Sequence, residues 1–481
     1  MVPFRRAVVV PVCALVALTL AACGSQLDPD TVAQVNGGAV GANGEVVPGG
    51  GTTTTGPDGS VPGATGGGAG TTTTGGGTTT KTGGSGGSTE GTGDNAATGG
   101  EKAASCDGFK NQTGITDKTI VIGNSSDVSG PVPGLFEASQ DAVKAYVAYF
   151  NATSDICGRK LELKAYDSRT DAAADQQAYT KACDETFAVV GSMSAFDSGG
   201  AAVTQQCGLP DIRSAAVTAD RQACTTCFGA QSTQANEFQN AVPDFVKKNH
   251  PDAAAHAAML YINAGAAAEN GKTQAAAMGK RGMHFDYVQG IDISEFNYSP
   301  YVQQMKDKGI EYVQMIASTA QFVRLAQAMQ QQGFKPEVFM LDPTAYTTDF
   351  VKSGGDAVEG TTLFINFTPF EEAASNRELQ LYLSWLQQVK PGAEPSFFGL
   401  FSWSAARLFV ERATALGGKL SRATLIDDLR RVDNWTANGM HSPQHVGPRH
   451  TGDCWRFIQL QHGRWVPVGG TKYTCTGTTS P

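Results

Sequence analysis

Apolar and polar positions alternate in two registers along the second part of this chain. "TIVIGNS" (Thr119–Ser125) is an apolar run of strand length, and Val143, Tyr146, Val147 and Phe150 then recur at helical spacing. "KLELKAYD" (Lys160–Asp167) alternates as a half-buried strand does, and "FAVVGSM" (Phe187–Met193) reads as a short buried strand. The pattern restarts past Pro243 with "AAMLYIN", "YVQMIAS", "EVFMLDP" and "TTLFINF", while Phe322, Leu325, Ala326 and Met329 share one helical face. After Pro369 come two more helical patterns, Leu379/Tyr382/Leu383/Leu386 and Phe401/Ala405/Leu408. Strand–helix alternation twice over predicts an α/β fold of two lobes, each a mainly parallel sheet flanked by helices. Ligands of such sheets sit beyond the carboxyl ends of the strands, so the loops that follow strands are the candidate site.

The first part of the chain has no such pattern. Arg5 and Arg6 precede an apolar stretch, Ala7–Thr19, and then Leu20-Ala21-Ala22-Cys23. This predicts a lipoprotein signal peptide over 1–22, cleavage before Cys23 and a lipid on its thiol, which would hold the protein to the outer face of the cell membrane. No later segment reaches the ~18 uninterrupted apolar residues of a membrane span. From Asn36 to Ser105 the residues are mostly Gly, Thr, Ser and Ala. Such a segment buries too little to offset its ordering entropy, so 23–105 is read as a lipidated cysteine followed by a disordered tether. Lys and Arg number 36 against 45 Asp and Glu, a net charge of −9, and loss of residues 1–22 removes two arginines and no acid. An acidic chain without a basic run argues against a nucleic-acid partner.

There are ten cysteines. Cys13 leaves with the signal and Cys23 takes the lipid. The even remainder, in an oxidising compartment, reads as four disulfides. Spacing suggests Cys183–Cys207, Cys224–Cys227 and Cys454–Cys475, leaving Cys106–Cys157. "CTTC" (Cys224–Cys227) has neither the strand-to-helix setting of a redox pair nor a second pair for zinc, so it reads as a structural bridge.

"VVGSMSAFDSGGAAV" (Val189–Val203) follows a strand and is the stretch closest to a catalytic or phosphate loop. Gly191-Ser192-Met193-Ser194-Ala195 lacks the second glycine of a nucleophile elbow, and no Gly-Lys-Ser/Thr of a phosphate loop is present. The better reading is a ligand cradle of backbone N–H groups and hydroxyls, its small residues letting the backbone approach a ligand. "HSPQHVGPRH" carries His441, His445 and His450, but Pro443, Gly447 and Pro448 exclude one regular helix to align them. A solvated loop is the reading there, with transition-metal binding the alternative. Asp342 is either a turn-forming residue before Pro343 or a cleft carboxylate. No Ser/His/Asp set or paired carboxylates for an extracellular hydrolase are evident, and no cofactor motif, so neither catalysis nor a cofactor is expected.

Several stretches, in order, resemble a known family. "ITDKTIVIGNSSDVSGP", "YFNATSDICGRKLELKAYDSRTD", "FAVVGSM", "LPDIRSAAVT", "GGDAVEG", "FSWSAARLFVERATALGG" and the terminal "CWRFIQLQHGRWVPV" are similar to type I periplasmic binding proteins. The similarity is to their branched-chain amino-acid (Leu/Ile/Val) group, which serves ABC transporters. The resemblance implies two lobes joined by a three-crossover hinge, with lobe 1 over 106–242 and 369–435 and lobe 2 over 243–368 and 436–477. It implies a small-molecule ligand trapped by lobe closure and an ABC permease as partner; a sensor of the same fold, coupled to a membrane signalling partner, is the alternative. Its contact positions fall on Ser129, Leu135 and Phe136, on Ser194, Ala195, Phe196 and Asp197, and on Ala216 and Thr218. In the second lobe they fall near Asn263, Asn270, Ser318, Asp342 and Tyr346. Ala195 and Phe196 stand where amino-acid binders tend to carry a hydroxyl, and Asp342 is only an offset match to the acid that meets an ammonium. Phe136, Phe196 and Tyr346 suit a more apolar or aromatic molecule.

Overall fold

The computed structural model describes residues 103–481, together with two dipeptide strands, Ala39–Val40 and Val46–Val47, that pair antiparallel. The signal peptide expected over 1–22, Cys23, and the rest of the tether up to residue 102 lie outside the described residues.

The first sheet has five parallel strands: β1 (Thr119–Ser126), β2 (Lys160–Asp167), β3 (Ala188–Val190), β4 (Asp211–Ala215) and β5 (Cys227–Gln231). Their spatial order is β2-β1-β3-β4-β5. The order reverses between β1 and β3, and at such a point the following loops diverge and open a crevice. Helices α1 (Glu137–Thr153), α2 (Ala172–Glu185), α3 (Ser198–Gln206) and α4 (Ala219–Ala223) are the crossovers. Asp171 caps α2 by accepting Ala174 N–H at 2.8 Å, one of the four donors that every helix start leaves open.

After β5 come a short strand β6 (Phe238–Gln239) and helices α5 (Ala241–Asn249) and α6 (Pro251–Ala255). The second sheet then builds from β7 (Ala257–Ile262), β8 (Phe285–Ile291), β9 (Tyr312–Ile316), β10 (Val338–Leu341) and β11 (Thr362–Ile365), all parallel, in the order β8-β7-β9-β10-β11. Its helices are α7 (Gly265–Lys280), α8 (Ser299–Asp307), α9 (Thr319–Gln331) and α10 (Thr348–Gly354). Here the order reverses between β7 and β9. The edge strand β8 was not among the elements expected; Val288 on its polar face and Gln289 on its apolar face break the alternation.

From β11 the chain returns to the first lobe as α11 (Arg377–Val389), α12 (Phe397–Leu416) and α13 (Arg422–Leu429). Ser396 caps α12, accepting Gly399 N–H at 3.0 Å. This helix packs on α1 and on β4 and β5 and is buried nearly all round, so its apolar residues are not confined to one face. Trp403 lies fully buried between Tyr146 and Tyr149, ring centroids 4.8 and 5.7 Å away, and its indole N–H donates to Glu378 at 2.6 Å. The chain ends in the second lobe with the hairpin β12 (Cys454–Gln461) and β13 (Arg464–Val468), then β14 (Thr474–Cys475) against β12 and β15 (Thr478–Thr479) against β6.

The chain thus passes between lobes three times: after β5, after β11 and after α13. The crossovers are tied to one another. Ser442 N–H donates to Asn366 O at 2.8 Å, Ser232 N–H to Gln444 Oε1 at 3.0 Å, and Gly452 N–H to Ser232 O at 3.1 Å. His441 departs from the expected solvated loop. It is buried with its ring stacked on Phe401, 4.7 Å between centroids, and Nε2 lies 2.8 Å from Ser404 Oγ. Burial disfavours the charged ring and holds its pKa down at about 4. His445 turns to Asp433 and His450 to Glu237, so the three imidazoles have separate partners. Among the described residues, the one cluster with metal-ligand geometry is Asp453 with Cys454 and Cys475, and those sulfurs are joined to each other.

Disulfides join Cys106 to Cys157, Cys183 to Cys207, Cys224 to Cys227 and Cys454 to Cys475. The first fastens the start of the described chain to the loop before β2, and the last fastens β14 across to β12.

Candidate functional site

A cavity of about 250 Å³ lies between the lobes, beyond the carboxyl ends of both sheets. The first lobe contributes Leu135, Phe136, Thr170, Met193, Ala195, Phe196 and Val217. Gln222 and Gln231 of the first lobe line it too, the crossover segments contribute Thr233, Glu237 and Thr451, and the second lobe Ala264, Ala266, Asn270, Ser318, Asp342 and Trp455. The apolar floor is set by Phe136, packed edge-on against Phe398 at 4.6 Å, with Met193 beside it.

The first-lobe wall stands on buried charge. Arg221 donates to Asp197 O at 2.7 Å, to Asp175 Oδ2 at 2.9 Å and to Asp211 Oδ2 at 3.0 Å. Arg213 meets Asp211 at 3.3 Å and Asp197 at 3.6 Å, and it donates to the Tyr179 hydroxyl. All these side chains are fully buried. Asp197 in turn accepts Val217 N–H at 2.9 Å, Thr218 N–H at 3.2 Å and the Thr218 hydroxyl at 2.6 Å, locking two cavity loops together. Gly200 has a structural reason: a Cβ there would lie 2.4 Å from the Tyr179 ring and 2.6 Å from Arg221 Nη2. This glycine of "DSGG" makes room for the charge network and not for a ligand, contrary to its reading as part of a cradle.

Asp127 forms a second knot. Its carboxylate accepts Ala195 N–H at 2.8 Å, Thr170 N–H at 2.9 Å and the Ser168 hydroxyl at 2.6 Å. Burial raises its pKa and these donors oppose the rise. Thr170 is held at φ +53°, in the left-handed region where β-branched residues are outliers. Its hydroxyl is buried at the cavity without a hydrogen-bond partner among the described residues.

The second-lobe wall is built from chain ends and small residues. Asp342 follows β10, forms a turn and lines the cavity. Oδ1 accepts Thr344 N–H at 2.8 Å, forming the turn, and the half-buried carboxyl faces the cavity. Burial pushes its pKa up to about 6, against the hydrogen bonds to Thr344. Ser318 opens α9 in a reciprocal cap with Gln321. The lobes touch across the cleft: Ala266 N–H donates to Ala195 O at 2.9 Å, Ala219 N–H to Glu269 at 3.0 Å, and the Asn270 amide to Val217 O at 3.3 Å. Gly265, at φ +49°, permits this approach, since a Cβ there would lie 2.5 Å from Ala195 O.

Of the expected contact residues, Leu135, Phe136, Ala195, Phe196, Asn270, Ser318 and Asp342 line the cavity. The others lie elsewhere. Ser129 is exposed and bonded to Asp167, Ser194 Oγ accepts Phe196 N–H at 3.2 Å, and Asp197 and Thr218 are bonded to each other behind the wall. Ala216 offers its carbonyl to Gln222, Asn263 is exposed, and Tyr346 packs with Phe367, Phe370 and Trp465 while bonding Glu371. Sequence reasoning missed Thr170 and the whole hinge set. Those residues follow strands or crossovers with no local pattern, and only the returning chain brings Thr451 and Trp455 beside Glu237.

The family model described as "Periplasmic binding protein" matches residues 119–464. Among curated proteins, none matches the chain in sequence. Solved structures resemble it in fold. The fatty acid ABC transporter substrate-binding protein of Thermomonospora curvata aligns at TM-score 0.66 and 17% identity, covering 78% of this chain and 97% of its own. The branched-chain amino acid transporter substrate-binding protein of Streptococcus pneumoniae, in complex with isoleucine, aligns at 0.61 and 16%, covering 74% and 99%. An ABC transporter solute-binding protein from R. palustris, in complex with 4-hydroxybenzoate, aligns at 0.61 and 16%, covering 76% and 98%. With the match spanning most of the chain, and the doubly wound lobes and interlobe cavity in place, this chain belongs to the periplasmic binding protein family and has its type I fold.

Proposed function

We propose that the protein captures a small organic solute in the interlobe cavity, outside the cytoplasm, and delivers it to an ABC importer. The observation that carries this is the cavity itself: an apolar floor, a few polar groups and walls from both lobes and the hinge, which is how small-molecule sites are built. No step of bond chemistry is part of this reading. The resemblance to solute-binding proteins loaded with isoleucine or 4-hydroxybenzoate supports a ligand of that size.

Binding would act by population shift. A ligand touching both walls favours the closed arrangement only as far as it prefers it to the open one. The lipid expected on Cys23 would keep the binding lobes near the permease. The test is solution scattering with a thermal-shift screen of amino acids, amides, aromatic acids and amines. A ligand that raises the melting temperature is expected to shrink the radius of gyration. Saturation without any change in scattering would sink lobe closure.

A further inference from the structure

We propose that the cavity takes a molecule without a carboxylate, an apolar body bearing a neutral or cationic hydrogen-bonding group, because the protein's own carboxylates already occupy the first-lobe loop donors and no cation lines the cavity. This deepens the solute-binding reading and rests on it.

An acid buried between two lobes needs N–H or O–H donors, or a cation, to offset its desolvation. The loops after β3 and β4 are where the first lobe could supply them. Their donors are taken. Ala195 N–H points to Asp127 at 2.8 Å, and Phe196 N–H to Ser194 Oγ at 3.2 Å. Val217 N–H, Thr218 N–H and the Thr218 hydroxyl all go to Asp197. Asp127 therefore sits in an anion nest of the protein's own making, with Ser168 and Thr170 N–H completing it.

The charges agree with the hydrogen bonds. No Lys, Arg or His lines the cavity among the described residues, while Glu237 and Asp342 do. The nearest cations behind the first-lobe wall, Arg213 and Arg221, are committed to Asp175, Asp197 and Asp211. A second carboxylate beside Asp127 would meet repulsion without compensation. What remains for a ligand is neutral side-chain amides, Gln231, Gln234 and Gln239, and the Asp342 carboxyl, with no cation among the lining residues. An amide, a hydroxyl or an ammonium satisfies these groups; a buried carboxylate finds amide donors but no cation to offset its charge.

The test has two arms, both on the full chain. In the first, matched pairs differing in the acid group are titrated by calorimetry: benzamide and benzylamine against benzoate, and leucinamide against leucine. The non-acids are expected to bind at least tenfold tighter, and Asp342→Asn should lower the affinity of benzylamine while leaving that of benzamide within about twofold. The second arm needs no cognate ligand. Asp127→Ala empties the nest, so acetate, compared with chloride at equal ionic strength, should raise the melting temperature of the variant and leave the wild type unmoved. Should the variant fail to fold, the wild-type arms decide alone. Benzoate or leucine binding as tightly as its amide, or acetate stabilising the wild type, overturns the proposal and leaves solute capture standing. Loss of capture itself is read separately, by the scattering experiment above.

Discussion

The two walls of the cavity are built by opposite means. The first-lobe wall is cross-linked by buried ions: Asp197 and Asp127 each gather several backbone donors, and Arg213 and Arg221 stand behind them. The second-lobe wall is Ala264, Ala266, a helix cap at Ser318 and a single turn at Asp342, with no buried ion pair among its cavity residues. The first wall is thus organised before any ligand arrives, and its geometry cannot shift without stranding a charge. The second meets it through a few hydrogen bonds that can be made and broken at small cost. That division suits a protein whose binding step is the movement of one lobe against another.

The comparison can be broken first at Arg221. Arg221→Ala leaves Asp175 and Asp211 buried without that partner, and the expected loss is about 3–5 kcal/mol in urea unfolding. A loss below 1 kcal/mol would mean that the first wall does not depend on its ions. Asp342 gives the next effect, through pH. Its carboxyl holds a proton more tightly folded than unfolded, where its pKa is near 3.8. Its contribution to stability is complete below that value and is lost as pH rises through about 6. Asp342→Asn should remove a decline on the order of 2 kcal/mol between pH 4 and 7; an unchanged pH profile would place the ionised group in water. Gly265→Val forces a side chain into left-handed backbone and against Ala195 O. It should cost about 1–2 kcal/mol and weaken ligand binding more than tenfold; unaltered affinity in calorimetry would show that this contact plays no part in closure. Smallest is Asn270→Ala, which removes one long interlobe hydrogen bond and should cost under ~1 kcal/mol in melting experiments. A loss as large as that at Arg221 would erase the distinction between the walls.

Much of the architecture was legible because it follows from periodicity. The strands at Thr119, Lys160, Ala257, Tyr312, Val338 and Thr362 carry apolar runs, and the helical faces repeat every three or four residues. The strand Asp211–Ala215 has no such signal. It holds Asp211 and Arg213, residues that composition assigns to the surface, yet every one of its five positions is buried. Ions become core residues there because Arg221, Asp175 and Asp197 arrive from other elements to pair with them. The site divides likewise. Phe136 and Phe196 came from the family resemblance and Asp342 from its place after a strand, while Ser129, Ala216, Thr218 and Tyr346 occupy the same kind of loop and turn away from the cavity.

By itself the sequence determined the alternation of strands and helices, the loops in which a site must lie, and the acidic balance of the chain, because these depend on spacing and composition alone. The tertiary structure decided which loop groups are free. A backbone N–H is an offered donor until a carboxylate folds onto it, and whether Asp127 and Asp197 reach those N–H groups depends on how the loops after β1, β2, β3 and β4 converge. "SMSAFDSGG" therefore reads as a cradle in the chain and stands, once folded, as a wall whose donors are already taken.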